Sequence, residues 1–228
     1  MVDFTVQIKK TTRKKTIAIK VIEGQIQLLV PKNTSQKVIH ELLSKKSNWI
    51  RKQISFQQSL PVFKSKQFVS GEQFLYLGSE YKLKIVCGQE KTVKVIKNEL
   101  TIRLPNTQTD EPKRIEKLMK DWYFDNATKI LRTKTETYSK VIGVNPTEIR
   151  VKQYKSRWGS CNSKGVISYN WRIIMSPESI VDYLVIHELC HMIHANHSTD
   201  YWNLAGMVLP DYKSRRDWLK RNGRTLKW

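Results

Sequence analysis

The run Ser176-Pro177-Glu178-Ser179-Ile180-Val181-Asp182-Tyr183-Leu184-Val185-Ile186-His187-Glu188-Leu189-Cys190-His191 decides how this chain is read. Ser176 is a helix-capping residue type, and Pro177 fits a first helical turn, where its missing N–H costs nothing. Ile180, Tyr183, Leu184 and Ile186 then carry the helix into the histidines. On a helix, His187 and His191 share one face about 6 Å apart along the axis. That spacing lets two imidazoles reach one zinc ion. Glu188 is rotated about 100° from His187, so it can stand beside the metal as a general base without ligating it. With this chain's His and Glu content, roughly 0.005 matches to His-Glu-x-x-His are expected by chance.

A third ligand must be His194 or His197. On a continuing helix His194 lies about 10 Å along the axis from His187, too far for one tetrahedral ion. His197 returns if the chain turns after about residue 195, with Asn196 adopting the left-handed conformation and Ser198 or Thr199 capping the next helix. His197 is therefore the expected ligand, and His194 a supporting or packing residue. Three protein ligands leave one position for water, the arrangement of a catalytic site. Zinc acidifies that water, and Glu188 takes its proton and passes it to the leaving group. Cys190 points away from Glu188 and reads as a small buried hydrophobe. Cys161 has no cysteine partner at zinc-finger spacing and reads as structural.

Outward from this helix, strands are expected at 147–154 and 165–173 as a hairpin, with further helices near 199–208 and 210–222 ended by Gly223. Upstream, residues 4–9, 15–22 and 25–30 read as strands with a Glu23-Gly24 turn. A helix follows from Thr34 or Ser35 through Ile54. Residues 59–66 read as a linker. Strands near 73–77, 80–87, 91–96 and 99–104 precede a helix near 111–139. The hairpin–Asn-Thr–helix order of 15–54 returns at 91–139, a weak internal repeat.

Composition bounds the rest. The chain has 228 residues, 41 Lys+Arg against 20 Asp+Glu, and a formal net charge of +21. Residues 1–66 carry 14 basic and 3 acidic side chains, and residues 213–228 carry seven and one. Such an excess suits a polyanionic partner, nucleic acid or nucleotide, bound through phosphates; a solvated surface is the alternative. No apolar run reaches membrane-spanning length, and residues 1–20 lack a secretory apolar core. The three cysteines, Cys87, Cys161 and Cys190, are widely spaced, so the expected setting is a reducing cytoplasm.

Ser156-Arg157-Trp158-Gly159-Ser160-Cys161, Ile167-Ser168-Tyr169-Asn170-Trp171-Arg172, His187-Glu188-Leu189-Cys190-His191, Asn196-His197-Ser198, Tyr201-Trp202 and Pro210-Asp211-Tyr212 together resemble the YgjP-like metallopeptidases, relatives of the Wss-like and SprT-like zinc proteases. The resemblance is strong over 145–220. Tyr201 departs from it mildly, standing where the aromatic before Trp202 is often Phe. The resemblance implies Zn2+ held by His187, His191 and His197, with Glu188 catalytic. It also implies an α+β fold of small antiparallel hairpins and helices. Residues 1–105 then form a basic, β-rich region with one helix. Residues 106–228 form a zincin-like catalytic domain, its metal helix packed on a small sheet. The strand 165–173 becomes a candidate substrate-binding edge. Arg157, Tyr201 and Tyr212 are candidate oxyanion or substrate contacts, with packing or ion pairing as the alternative role. Met207 either floors the site or packs in the core.

The function expected first is a zinc metallopeptidase acting on protein or peptide. The alternatives are a metal-dependent nucleotide phosphohydrolase, of nucleoside triphosphate pyrophosphatase type, and a nucleic-acid-associated protein with a zinc site.

Overall fold

A computed structural model of the chain describes residues 5–22, 24–59, 65–105 and 112–228. Contacts divide it into two units, Met1–Val62 and Phe63–Trp228. In the first, strands β1 (Val6–Thr11), β2 (Ala18–Ile22) and β3 (Gln25–Pro31) form a sheet in the order β1-β3-β2, followed by helix α1 (Gln36–Gln58). Alternation along β3 buries Ile26, Leu28 and Val30 against Ile39, Leu43 and Ile50 of α1. Ser35 caps α1, its hydroxyl accepting the Val38 N–H at 3.4 Å. Gly24 supplies the turn between β2 and β3 at φ 77°; its expected companion Glu23 lies outside the described residues. The expected first strand, 4–9, is found at Val6–Thr11, and Phe4 lies outside the described residues.

The second unit begins with β4 (Gln73–Tyr76), β5 (Ser79–Cys87), β6 (Thr92–Ile96) and β7 (Glu99–Leu104), a sheet ordered β4-β5-β7-β6. Helix α2 (Pro112–Ile142) follows; the Asn106-Thr107 step before it lies outside the described residues. Its buried residues fall every fourth position: Ile115, Met119, Tyr123, Ala127, Leu131, Thr135 and Ser139. Next come β8 (Glu148–Lys152), β9 (Gly159–Cys161) and β10 (Val166–Asn170), then a 3-10 turn (Trp171–Met175) and helices α3 (Glu178–Cys190), α4 (Thr199–Val208) and α5 (Tyr212–Asn222). Leu83, Leu100, Ile102 and Leu104 of the second sheet share one core with α2, β10 and α3. Residue 105 lies within the second of these units, where β4–β7 bury their apolar face in the same core as α2 and α3. Lys134 of α2 reaches α3 through Asp182 at 2.6 Å and Glu178 at 2.8 Å.

The fold is α+β, as expected, but each sheet is mixed. In β1-β2-β3, β5-β6-β7 and β8-β9-β10 alike, the first strand pairs parallel with the third and the second antiparallel with it. A helix follows each set, so the repeat read from sequence is a shared topology with a third copy. Residues 147–154 and 165–173 therefore do not form a hairpin with each other: β8 and β10 are parallel neighbours, and the hairpin is β9–β10. The Asn162 side chain closes that hairpin, accepting the N–H groups of Lys164 and Val166 at 3.0 Å each. The strand also stops at Asn170, whose side chain caps the 3-10 turn by accepting the Arg172 N–H at 3.3 Å. Ser176 does not cap α3. Its hydroxyl donates back to the Ile173 carbonyl at 2.6 Å, and Pro177 occupies the N-cap position.

Candidate metal centre and active site

From Ile180 to Cys190, helix α3 is buried at every position except the half-buried Asp182 and His187, and that burial fixes the histidines at its end. His187 lies in its last turn and His191 is its C-cap residue. The chain then tightens, with Met192 and Ile193 donating to the carbonyls of Leu189 and Cys190. This turn brings back His197 without a left-handed residue at Asn196. Ser198 caps α4, accepting the Tyr201 N–H at 3.3 Å.

The result is a cluster of His187, His191 and His197 whose ligand atoms all lie within 4.8 Å of one another. Nε2 of His187 and Nε2 of His197 are 3.2 Å apart. Two nitrogens held 2.0–2.1 Å from one tetrahedral ion stand roughly 3.3 Å apart, so the pair fits a shared metal.

Hydrogen bonding sets which nitrogens are free. The Tyr201 hydroxyl lies 2.9 Å from the His187 carbonyl and 2.7 Å from His187 Nδ1. A carbonyl only accepts, so the single hydroxyl proton goes there and Nδ1–H donates to the tyrosine oxygen. His187 Nε2 then carries a lone pair toward the cluster. Likewise His191 Nδ1–H donates to the His194 carbonyl at 3.1 Å, freeing His191 Nε2. Burial, then the neighbouring His191 and His197 and Arg216, pulls the His187 pKa down to about 3. The same causes, without a second histidine beyond His191, lower that of His197. Both imidazoles are neutral near pH 7, the form that ligates.

Glu188 is 4% exposed and its pKa is raised to about 8 by burial, partly opposed by Arg157. What confines it is Gly159 of β9. A Cβ built at Gly159 would lie 2.3 Å from Glu188 Oε1 and 2.7 Å from its Cδ. Only glycine lets this strand pass so close to the carboxylate.

Of the candidate contacts, Tyr201 is occupied with His187 and faces the ligand side rather than an open oxyanion position. Tyr212 stacks on Trp202 (5.1 Å between centroids), which itself stacks on His197 at 5.3 Å, so Tyr212 meets the triad through that indole. Arg157 is exposed, its guanidinium 5.7 Å from the Tyr154 ring centroid. Met207 is 82% exposed, so it neither packs in the core nor floors the site. Cys190 is fully buried, and burial pushes its thiol up to about 11.

Two residues near the centre carried no role in the sequence reading. Gly159 had no clear signal, because it falls in a stretch that reads as the connection between two strands. Arg216 of α5, 5.0 Å over the Trp202 ring, had none, because only the fold brings α5 beside α4.

Among solved structures, the metallopeptidase zymogen of Pyrococcus abyssi abylysin matches with 22% identity, covering 39% of this chain and 90% of that one, at a TM-score of 0.37. Comparison with curated proteins gives no match. The YgjP-like, metallopeptidase domain profile matches residues 15–222, nearly the whole sequence and all of the site described above. With the His triad assembled inside that span, the chain belongs to the YgjP-like metallopeptidase family.

Proposed function

We propose that the chain is a zinc-dependent peptidase in which His187, His191 and His197 hold the ion and Glu188 is the general base. The observation that carries this reading is the convergence of three imidazoles, two with Nδ1 already committed to oxygen acceptors, beside one buried carboxylate. Three nitrogen donors suit zinc. When bound there, a zinc ion would supply Lewis acidity toward a water and a carbonyl oxygen.

The chain's own residues do the rest. Glu188 takes the proton of the attacking water and returns it to the leaving amine. Gly159 holds that carboxylate in place from the opposite side. Tyr201 and the His194 carbonyl keep the His187 and His191 rings in the ligating tautomer. Substrate adds as an extended strand to the edge of the third sheet. That edge is β9; β10, within the stretch expected to serve, is central, paired on both sides by β8 and β9.

The test is Glu188→Gln assayed beside wild type. Both should hold one zinc by metal analysis, and the variant should lose cleavage of an unfolded protein by about 10³-fold or more. Unchanged cleavage would sink the assignment.

A further inference from the structure

Immediately before β9, the chain lines a cavity of about 500 Å³. Its walls are the 154–158 loop, Asn170 and Arg172, and the end of α5 with the residues beyond it. Six cations line it, Lys155, Arg157, Arg172, Lys220, Arg224 and Lys227, and among the described residues no acidic side chain does. The Arg172 guanidinium lies 5.3 Å from the Trp171 ring centroid, and its Nε–H is buried without a hydrogen-bond partner among the described residues. A concavity lined by guanidinium and ammonium groups with no carboxylate among them favours an anionic acceptor.

We propose that this basin is a subsite for acidic side chains of the peptide substrate, a reading that rests on the peptidase function above. Position supports it. Trp158 lines the basin and leads directly into β9, and Gly159 at the start of that strand abuts Glu188. A peptide added along β9 leaves the strand at its Gly159 end beside the basin, within a few residues of the bond being cut. The guanidinium fork matches a carboxylate in two parallel hydrogen bonds.

The walls argue against a nucleic-acid strand. Single strands are held by aromatic faces open for base stacking as well as by cations. Both aromatic rings here are taken. The Trp158 indole packs on Gly223, so close that an added Cβ there would meet it at 3.1 Å, and Tyr154 lies under Arg157.

The test uses matched quenched-fluorescent peptides sharing one cleavable centre, with a run of Glu or of Gln on one side of it, made for each side. Wild type should cleave the Glu peptide of one side with kcat/KM about tenfold or more above its Gln partner. Arg224→Gln and Arg172→Gln should each remove most of that preference and leave the Gln peptide's turnover unchanged. Lys120→Gln, the same charge loss on an exposed face of α2, should keep it. Equal cleavage of Glu and Gln peptides in wild type overturns the proposal, as does a preference that survives Arg224→Gln. Inorganic tripolyphosphate or a single-stranded oligonucleotide displacing a labelled Glu peptide, and itself binding more tightly through Arg224, also overturns it. If no peptide is cut, the peptidase reading fails instead. Anisotropy of the labelled Glu and Gln peptides then decides the basin by itself, through binding that favours Glu and is lost in Arg224→Gln.

Discussion

Replacing Gly159 by alanine adds one methyl group where the structure has no room for it. The Cβ would sit 2.3 Å from Glu188 Oε1, 2.7 Å from Cδ and 2.8 Å from Cγ, against roughly 3.5 Å for an ordinary contact. One partner must therefore move by about 1 Å. The backbone at Gly159 is not left-handed, so alanine brings no dihedral strain and the collision is the whole effect. Glu188 is 4% exposed and cannot swing into solvent, so the carboxylate or strand β9 is displaced. A misplacement of this size at a catalytic group costs about 10²-fold, or about 2.7 kcal/mol in the barrier. Overpacking should cost a further 1–3 kcal/mol of stability, roughly a few degrees in Tm. The assay is kcat/KM on an unfolded protein substrate, with zinc content and Tm measured on the same sample. Zinc should stay bound, since no ligand is touched. Gly206→Ala in α4 is the control. Its Cβ would meet Tyr212 at an ordinary 3.4 Å, and it should keep activity and gain up to about 1 kcal/mol of helix stability. Wild-type kcat/KM in Gly159→Ala would refute the argument that β9 confines the base.

Tyr201→Phe removes the hydroxyl that accepts from His187 Nδ1 while keeping the ring. Zinc affinity should fall about 10- to 100-fold in a chelator competition, with Tm of the metal-free protein changed far less; equal affinity would show that the hydroxyl is only packing. Lys134→Met removes the cation shared by Asp182 and Glu178 and should cost about 1 kcal/mol in urea unfolding at neutral pH. Burial pulls the Lys134 pKa down, but the hydrogen bonds and charges of Asp182 and Glu178 outweigh it and raise the value above 10.5. A raised folded-state pKa stabilises fully below the unfolded value and is lost as pH climbs through the folded one. Wild type should therefore lose its advantage over Lys134→Met only above about pH 10.5, and a gap that closed on acidification would contradict the sign.

The histidine cluster was legible because its signal is local. His187 and His191 need only a helix, and His197 only a turn. The means of that turn were not: Asn196 was expected in a left-handed conformation, yet tight hydrogen bonds to Leu189 and Cys190 do the work. Ser176 looked like a cap, but the preceding 3-10 turn offered its hydroxyl the Ile173 carbonyl, and a turn that short leaves no periodicity to read. Strand β9 escaped because Gly-Ser-Cys has no strand propensity; it is held by pairing with β10 and by its approach to Glu188. That the second sheet shares a core with α2 and α3 was not legible, because such burial leaves no mark in composition.

The three clustered histidines fall within only eleven residues, 187 to 197. Closing so short a loop around an ion costs little chain entropy, even in a disordered polypeptide. The segment can therefore capture metal before the rest of the unit has folded, whereas the pocket around Glu188 must wait for β9, which reaches it from a different sheet element. Metal that binds unfolded chain as well as folded stabilises the fold by less than its affinity implies. Loaded and stripped protein should accordingly melt closer together than the strength of zinc binding alone would dictate.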